Sequence, residues 1–387
     1  MSIRAIELFA GGGGLLLGTS SVGVNHLAAV EWDKWACDTL RENANNGHRL
    51  VAGLPVIEDD VRNLHWDSFP TDVDLVTGGP PCQPFSLGGK SRANADKRDM
   101  FPAAAMALRE LAPKAFIFEN VKGLTRTSFH EYYSYILLRL SHPDVIARPG
   151  ERWEEHLARL QQVHTTPSDG LQYNVVDTVV DAADYGVPQH RHRVFIVGFR
   201  SDINAGWNFP QPTHSGAALV KQQMSGEYFE RHRVSQKQRI IAARSNRGDD
   251  SLLPWRTVRD ALYHMPDPLP GGTPGWLDHT FQPGAKVYPG HTGSPIDEPS
   301  KALKAGDHGV PGGENMIRFP DGSVRYFSIR EAARVQTFPD DYALHGSWGE
   351  AMRQLGNAVP VDLAATVVGS VVEHLSKPSQ RKLKAVQ

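Results

Sequence analysis

A short apolar segment at the start of the chain, residues 3–9, runs directly into four consecutive glycines, Gly11–Gly14. Its loosely alternating side chains predict a buried β-strand, and the glycines predict a tight turn before a helix over 15–20. More strand-like stretches follow, interleaved with helical ones, at 26–31, 73–77, 115–118, 175–182 and 193–199. Strands that alternate with helices predict a doubly wound α/β fold with a mostly parallel sheet, which binds ligands at the carboxyl ends of its strands.

The character of the sequence changes at about residue 201. Periodicity fades there, and Pro, Gly, His and Arg accumulate as far as residue 322, over a length too great for a simple loop. This composition predicts a second, smaller and irregular domain. Helical signals return at Ser328–Glu331, which reads as a capping box, and over 359–375, where Pro360 suits a first helical turn. Residues 141–170 read as an insertion that carries one surface helix.

Composition and charge argue against several classes of protein. No apolar run approaches the roughly 20 residues of a membrane span, and residues 8–18 lack the basic start of a signal peptide. Two cysteines, Cys37 and Cys82, form neither a disulfide framework nor a zinc cluster, so we expect a reducing cytoplasm and no metal site. The net charge of −2 does not mark a nucleic-acid-binding protein. Basic residues nevertheless cluster over 221–247, as a phosphate-binding face or as solvated surface.

The glycine turn alone is a weak sign of a bound nucleotide. Glycine lets a ligand approach the backbone closely, but this stretch fails both the G-x-G-x-x-G pattern and the phosphate-loop pattern. Glu31 ends the second predicted strand, where a carboxylate commonly accepts hydrogen bonds from ribose hydroxyls. Trp32 could lie against an adenine ring, and Asp60 adds an acid in a later turn. These residues favour a pocket for an adenosine that needs no phosphate contacts.

Cys82 is the candidate nucleophile, in the proline-rich stretch Gly78–Ser86 that follows a predicted strand. The prolines stiffen this turn and hold the thiol forward, unlike the other cysteine, which lies in a helical pattern. An unperturbed thiol has a pKa of about 8.5, and a positive charge from Arg191 or Arg193 would raise its thiolate fraction. Glu119 stands at the end of another predicted strand. A cysteine with a carboxyl partner and an adenosine pocket suits neither a protease nor a dehydrogenase.

Several stretches together resemble the DNA cytosine-5 methyltransferase family. Three lie around the candidate nucleophile: Gly79-Pro80-Pro81-Cys82-Gln83, Glu119-Asn120-Val121 and Gln189-His190-Arg191-His192-Arg193. The others keep the family's order along the chain: Phe9–Gly14 with Glu31, Arg330–Gln336 with Phe338-Pro339, and Gln354–Pro360. They cover residues 1 to about 200 and 325 to 373. Glu7 stands where the family usually has Asp, and Val361 replaces a common second proline; neither touches the reacting centre.

The resemblance implies methyl transfer from S-adenosylmethionine to C5 of a cytosine in duplex DNA. Cys82 would add to C6 of the ring, Glu119 would hydrogen-bond N3 and the exocyclic amine, and Arg191 and Arg193 would orient the base and a nearby phosphate. The cytosine must leave the stacked duplex, and residues 86–98 suit a lid that closes on the DNA. The implied cofactor-binding set is Phe9, Gly11, Gly13, Gly14, Glu31, Trp32, Asp60, Val61, Pro80, Asn357 and Val359.

The resemblance also divides the chain. It implies a catalytic and cofactor-binding domain over 1–200, a DNA target-recognition domain over 201–325, and a segment over 326–387 that returns to the catalytic domain. The expected partners are double-stranded DNA and a restriction endonuclease acting on the same site, with the enzyme a monomer in the cytoplasm of a bacterium or encoded by a phage. Three alternatives to this activity stay open: a tRNA cytosine-5 methyltransferase, which the long recognition segment disfavours; a catalytically silent DNA-binding relative; and a nicotinamide-dependent oxidoreductase, opposed by the failed glycine pattern. A solitary regulatory methyltransferase without a partner endonuclease also stays open.

Overall fold

A seven-stranded sheet forms the centre of the protein. The computed structural model describes residues 2–81, 99–166, 169–203, 206–242, 246–305 and 315–376. The strand order is β3-β2-β1-β4-β5-β7-β6, and only β7 runs antiparallel to its neighbours. The strands are β1 (Arg4–Leu8), β2 (Asn25–Glu31), β3 (Val56–Glu58), β4 (Leu75–Gly78), β5 (Ala115–Val121), β6 (Tyr173–Asp181) and β7 (His192–Arg200). The predicted doubly wound, mostly parallel sheet is confirmed, and β3 is a strand that the prediction missed.

The strand order reverses at β1. The chain runs outward from β1 to β2 and β3, and then returns to β4 on the other side of β1. Leu8, at the end of β1, pairs with Val30 near the end of β2 and with Gly78 at the end of β4. The glycine turn, Glu31 and the Gly79-Pro80-Pro81 turn therefore meet at one edge of the sheet, at the reversal point where open α/β sheets bind ligands.

Helices cover both faces of the sheet. Those of the first 200 residues are α1 (Gly14–Ser21), α2 (Lys34–Asn45), α3 (Phe101–Leu111), α4 (His130–Ser141) and α5 (Trp153–His164). Successive residues of β5 point to opposite faces. Phe116 and Phe118 pack against α3 and α4, whereas Ala115 and Ile117 face the layer that contains α1. Burial on both faces explains why β5 reads as a continuous apolar run.

The predicted helix of the insertion is α5, and it packs on a neighbour that the sequence pattern missed. The Leu160 side chain is fully buried, and Trp153 lies with its ring 5.3 Å from that of Tyr132 on α4. The apolar face of α5 thus covers the aromatic residues of α4, while its charged face remains in solvent.

Regular structure is sparse in the segment predicted as irregular. It contains α6 (Gly216–Ser225), α7 (Glu227–Arg231), α8 (Val258–Ala261) and the two-residue strands β8 (His214–Ser215), β9 (Leu253–Pro254) and β10 (Ser294–Pro295). Part of it has its own apolar cluster, which includes Leu219, Tyr228, Phe229 and Trp255. β10 pairs with β11 (Met316–Arg318), which pairs with β12 (Val324–Tyr326). The division at residues 200 and 325 stays a prediction.

The C-terminal residues form three helices, α9 (Ile329–Val335), α10 (Trp348–Asn357) and α11 (Val361–Ser376). The capping box at Ser328 is confirmed, whereas Pro360 precedes α11 instead of lying in its first turn, and α10 was not predicted. α11 packs along α1 in the layer opposite α3 and α4. The stretch Trp348–Ser376 has the length and apolar composition of a membrane span, but 61% of its most apolar window is buried in the protein, as in a core helix.

Candidate active site

The Glu31 carboxylate joins the glycine turn to the turn between β2 and α2. It accepts hydrogen bonds from the backbone N–H groups of Gly11 at 2.8 Å, Trp32 at 2.9 Å and Asp33 at 2.8 Å. Burial raises the pKa of Glu31, although these three hydrogen bonds oppose the shift. A carboxylate has about four lone-pair sites, so one remains available to a further donor such as a ribose hydroxyl.

The four glycines serve two different purposes. Gly11 has a φ of +54°, and among the described residues no atom lies within 4 Å of the position that a Cβ would occupy. Each of the other three lies against the C-terminal segment. A Cβ added to Gly12 would lie 3.1 Å from Gln354 Cβ. One added to Gly13 would lie 2.7 Å from Tyr342 Oη, and one added to Gly14 would lie 2.2 Å from the Val359 carbonyl oxygen. Among these four glycines, Gly11 therefore leaves its side-chain position open to a ligand, whereas the protein itself fills the side-chain positions of the other three.

The remaining residues of the predicted cofactor set lie in different settings. The Trp32 side chain is 71% exposed beside Glu31, and Phe9 is half-buried at the end of β1. The Asp59 N–H donates to the Glu31 carbonyl oxygen, so Asp60 and Val61 follow close to the end of β2. Val61 and Pro80 are buried, Asn357 is exposed at the end of α10, and Val359 presents its carbonyl to Gly14.

Glu119 and Arg193 form a buried ion pair at the carboxyl end of β5. Arg193 Nε lies 2.6 Å from Glu119 Oε1, without the alignment of a hydrogen bond, and the two side chains are 12% and 8% exposed. Burial raises the pKa of Glu119, while the charges of Arg193 and Arg191 oppose that shift. Burial also lowers the pKa of Arg193. A raised pKa is the direction that the predicted proton-donor role of Glu119 requires, and that role stays a prediction.

The turn that leads to the candidate nucleophile lies against this ion pair. A Cβ on Gly79 would be 3.4 Å from Glu119 Oε2, and Asn120 donates a hydrogen bond of 2.8 Å to the Pro80 carbonyl oxygen. Cys82 follows Pro81 directly in the sequence and lies outside the described residues, as do residues 86–98. The described part of the turn thus ends beside Glu119, where the predicted mechanism needs the thiol.

Arg191 occupies a different position from Arg193. Its side chain is fully buried, and its guanidinium donates to the carbonyl oxygens of Gly356 at 2.6 Å and Leu303 at 3.2 Å. A longer contact of 3.5 Å reaches Gln189 Oε1. These donors are committed to the backbone of two distant segments, so in this conformation Arg191 acts on Glu119 through its charge and presents no exposed group to a phosphate.

Exposed basic side chains lie near His192, the residue before Arg193. Arg247 belongs to the basic stretch 221–247 of the sequence analysis, whereas Lys122 was not singled out there. Lys122 follows β5 and is exposed, and His192 pairs with Asp181 across β7 and β6. The Arg247 side chain is 59% exposed, 3.8 Å from Asp181, with its guanidinium 5.0 Å from the centre of the Trp255 ring. Burial lowers the pKa of His192, and the positive charges of Lys122 and Arg247 add to this effect. The sequence signal that could have identified Lys122 is its position immediately after the motif Glu119-Asn120-Val121.

The reversed strand order, the carboxylate at the end of β2 and the buried acid at the end of β5 define a Rossmann-like methyltransferase fold. The family model for C-5 cytosine-specific DNA methylases matches residues 3–143 and 158–373. The chain belongs to this family, and it is a DNA cytosine-5-methyltransferase, as the sequence motifs predicted.

Proteins similar to this chain agree with that membership. The Type II methyltransferase M.PspPI of Psychrobacter sp. is 32% identical over 97% of this chain and 80% of its own length. The Type II methyltransferase M.Sau96I of Staphylococcus aureus is 31% identical over 97% of this chain and 76% of its own length. Among solved structures, a DNA modification methyltransferase of an E. coli prophage is 20% identical, with a TM-score of 0.57 over 97% of this chain and 100% of its own. The S. pombe Dnmt2 methyltransferase is 17% identical with the same TM-score and coverage. These two likenesses show the fold.

Proposed function

We propose that the enzyme methylates one cytosine in a specific duplex DNA sequence as the modification enzyme of a type II restriction system in the bacterial cytoplasm. The buried Glu119–Arg193 pair carries this proposal, because it sets an acid of raised pKa beside the turn that leads to Cys82. The relatives named Type II methyltransferases support the restriction setting, where a cognate endonuclease would act on the same site. We propose that the enzyme acts as a monomer.

The carboxyl edge of β1 and β2 fits S-adenosylmethionine. Gly11 leaves open space where a side chain would stand, Glu31 keeps one lone-pair site for a ribose hydroxyl, and the exposed Trp32 ring offers a face to adenine. When bound, S-adenosylmethionine supplies an electrophilic methyl group on a sulfonium. We assign the ribose to Glu31, the adenine to Trp32 and the turn of Asp60 and Val61, and the rest of the contacts to Phe9, Gly13, Gly14, Pro80, Asn357 and Val359.

The protein's part in the reaction is to make C5 of cytosine nucleophilic. The Cys82 thiolate adds to C6, and Glu119 donates its proton to N3 as the ring's electrons shift towards C5 and N3. C5, made nucleophilic in this way, would accept the methyl group that S-adenosylmethionine, held at Glu31 and Trp32, would supply with loss of its bond to sulfur. Loss of the C5 proton to a base and departure of the Cys82 thiolate from C6 then rebuild the C5–C6 double bond, and the N3 proton returns to Glu119, which restores both the ring and the enzyme. Arg193 holds the Glu119 carboxyl in place throughout.

This chemistry requires the target base outside the duplex. A cytosine in a stacked helix hides C6 from a thiol, so the base must flip into the site. Lys122 and Arg247 are exposed cations near His192, the residue before Arg193, and suit the phosphates that flank the extruded nucleotide. We propose residues 86–98 as the closing lid and 201–325 as the segment that reads the DNA sequence.

Tritium transfer from labelled S-adenosylmethionine to mixed-sequence duplex DNA tests the reaction, with the methylated base identified after hydrolysis. We expect label in 5-methylcytosine from wild type and none from Cys82→Ser. Label in tRNA but not in DNA would retain the chemistry and refute the substrate. Binding of the methyl donor without transfer to either would favour a silent relative.

A duplex containing 5-fluorocytosine at the mapped site tests the covalent step. Fluorine at C5 cannot leave as a cation, so elimination is blocked and the Cys82–C6 bond should persist. We expect an enzyme–DNA complex that survives denaturing electrophoresis with wild type and is absent with Cys82→Ser. Methylation of ordinary DNA without such a complex would refute the adduct.

A further inference from the structure

Asp33 belongs to the turn that presents Glu31 and Trp32. Its backbone N–H donates to Glu31 Oε1 at 2.8 Å, so the orientation of this peptide helps to set the carboxylate. Its own carboxylate caps α2, where Oδ1 accepts the Ala36 N–H at 3.1 Å. One oxygen of Asp33 thus starts the helix, and the other, Oδ2, is available to an outside partner.

That partner comes from the other end of the chain. Arg353 on α10 donates from Nη2 to Asp33 Oδ2 at 2.9 Å, and its Nε and Nη2 contact Glu350 Oε2 at 2.9 and 2.5 Å. Glu350 holds the guanidinium from within α10, so the arginine reaches Asp33 in a fixed direction. The Arg353 and Asp33 side chains are only 26% and 27% exposed, which limits solvent screening of the pair.

The neighbouring residue on α10 contacts the same region. Gln354 Oε1 accepts the Thr39 hydroxyl of α2 at 2.8 Å, and Gln354 packs against Gly12 in the glycine turn. α10 therefore touches both turns that border the proposed cofactor site, and Arg353 is its charged contact with the Glu31 turn.

We infer that Arg353 is a positioning residue for the cofactor, which acts through Asp33 to fix the turn that carries Glu31 and Trp32. This rests on the proposed function, since Glu31 and Trp32 are assigned to S-adenosylmethionine there. The inference concerns affinity for the cofactor and leaves DNA affinity unchanged.

Binding of S-adenosylmethionine to the full-length protein, measured by calorimetry without DNA, tests the inference. We expect Arg353→Met to raise Kd about tenfold, which corresponds to one partly exposed charge-assisted hydrogen bond of ~1.4 kcal/mol. Asp33→Asn should weaken binding similarly, because asparagine still caps α2 but loses its charge. The double variant should be no weaker than either single one, since both remove the same contact.

The control is Arg159→Met on α5, which breaks the ion pair between Arg159 and Glu151. The Arg159 side chain is 27% exposed, which is comparable to Arg353, and the Glu151 side chain is 8% exposed. It should bind S-adenosylmethionine like wild type. Urea unfolding and DNA binding, measured in parallel, separate a local effect from general damage. Wild-type Kd in Arg353→Met, or additive losses in the double variant, would overturn the inference. A wild-type protein that does not bind S-adenosylmethionine would instead refute the proposed function.

Discussion

Gly18 tests how closely the C-terminal helix is fitted to the start of the chain. It lies inside α1, where replacement of glycine by alanine ordinarily stabilises a helix by about 1 kcal/mol. Here a Cβ would lie 2.4 Å from Ala364 Cβ and 2.6 Å from the Val361 carbonyl oxygen, both on α11. The distance to the oxygen is ~0.7 Å shorter than a close carbon–oxygen contact of about 3.3 Å. The distance to the carbon is at least ~1 Å shorter than an ordinary carbon–carbon contact of about 3.5 Å, so the helices must separate.

The magnitude follows from two opposing contributions. Overpacking of a tight core costs about 1–3 kcal/mol, and the clash with backbone atoms places Gly18→Ala at the upper end. After the gain in helix propensity we expect a net loss of about 2 kcal/mol in the free energy of unfolding. Gly369→Ala is the matched control, because Gly369 lies inside α11 and, of the described residues outside this helix, its Cβ would meet only Val22 Cγ1 at an ordinary 3.4 Å. It should gain up to about 1 kcal/mol.

Urea unfolding followed by circular dichroism measures both variants against wild type. The two substitutions are chemically identical, so the sign of the difference depends on the α1–α11 contact alone. If Gly18→Ala were as stable as Gly369→Ala, α11 would not pack on α1 as described, and the attachment of the C-terminal segment to the sheet would be refuted.

Three further predictions concern the site. Because the pKa of Glu119 is raised above 4.5, the folded state holds its proton longer than the unfolded state does, so its contribution to stability is lost as pH rises from 4.5 through the native pKa. The Glu119→Gln enzyme should lose less stability than wild type across that window in urea titrations, and methyl transfer should fall at least about 100-fold. Arg191→Met should cost about 3 kcal/mol in the free energy of unfolding, since it strands the buried carbonyl oxygens of Gly356 and Leu303. Unchanged stability with lost activity would show that Arg191 acts on DNA instead. Arg247→Ala should weaken binding to all duplexes alike and reduce the slope of log Kd against log salt by about 1, and an unchanged slope would exclude a phosphate contact.

The centre of the sheet could be predicted from the sequence because its inner strands are buried on both faces. The apolar runs at 115–118 and 193–199 carry that signal directly, and both are strands in the structure. The missed elements carry weaker signals. β3 has three residues, of which none is fully buried, and α4 presents aromatic residues that favour strands as much as helices.

The sequence predicts which residues belong to the candidate site, but not which groups of the protein each of them contacts. Glu119 and Arg193 were assigned to one site, and the antiparallel pairing of β5 with β7 brings them together. Arg191 received the same role as Arg193, because both belong to the one motif, Gln189–Arg193, on which the resemblance rests. What separates them is the packing of Leu303 and Gly356 around the Arg191 guanidinium. Contacts between segments more than 100 residues apart leave no local pattern in the sequence.

The same non-local packing explains why the cofactor side needs both ends of the chain. Gly13 and Gly14 are enclosed by Tyr342 and Val359, and Tyr342 donates a hydrogen bond of 3.0 Å to the Gly12 carbonyl oxygen. The long segment between the two ends is fastened where Gln189 bridges to Ser300 and where Arg191 holds Leu303. Because these contacts fix the segment near Ser300 and Leu303, its sequence can vary at other positions without moving the glycine turn or Glu119. This arrangement suits an enzyme whose chemistry is fixed and whose proposed recognition segment must vary with its DNA target.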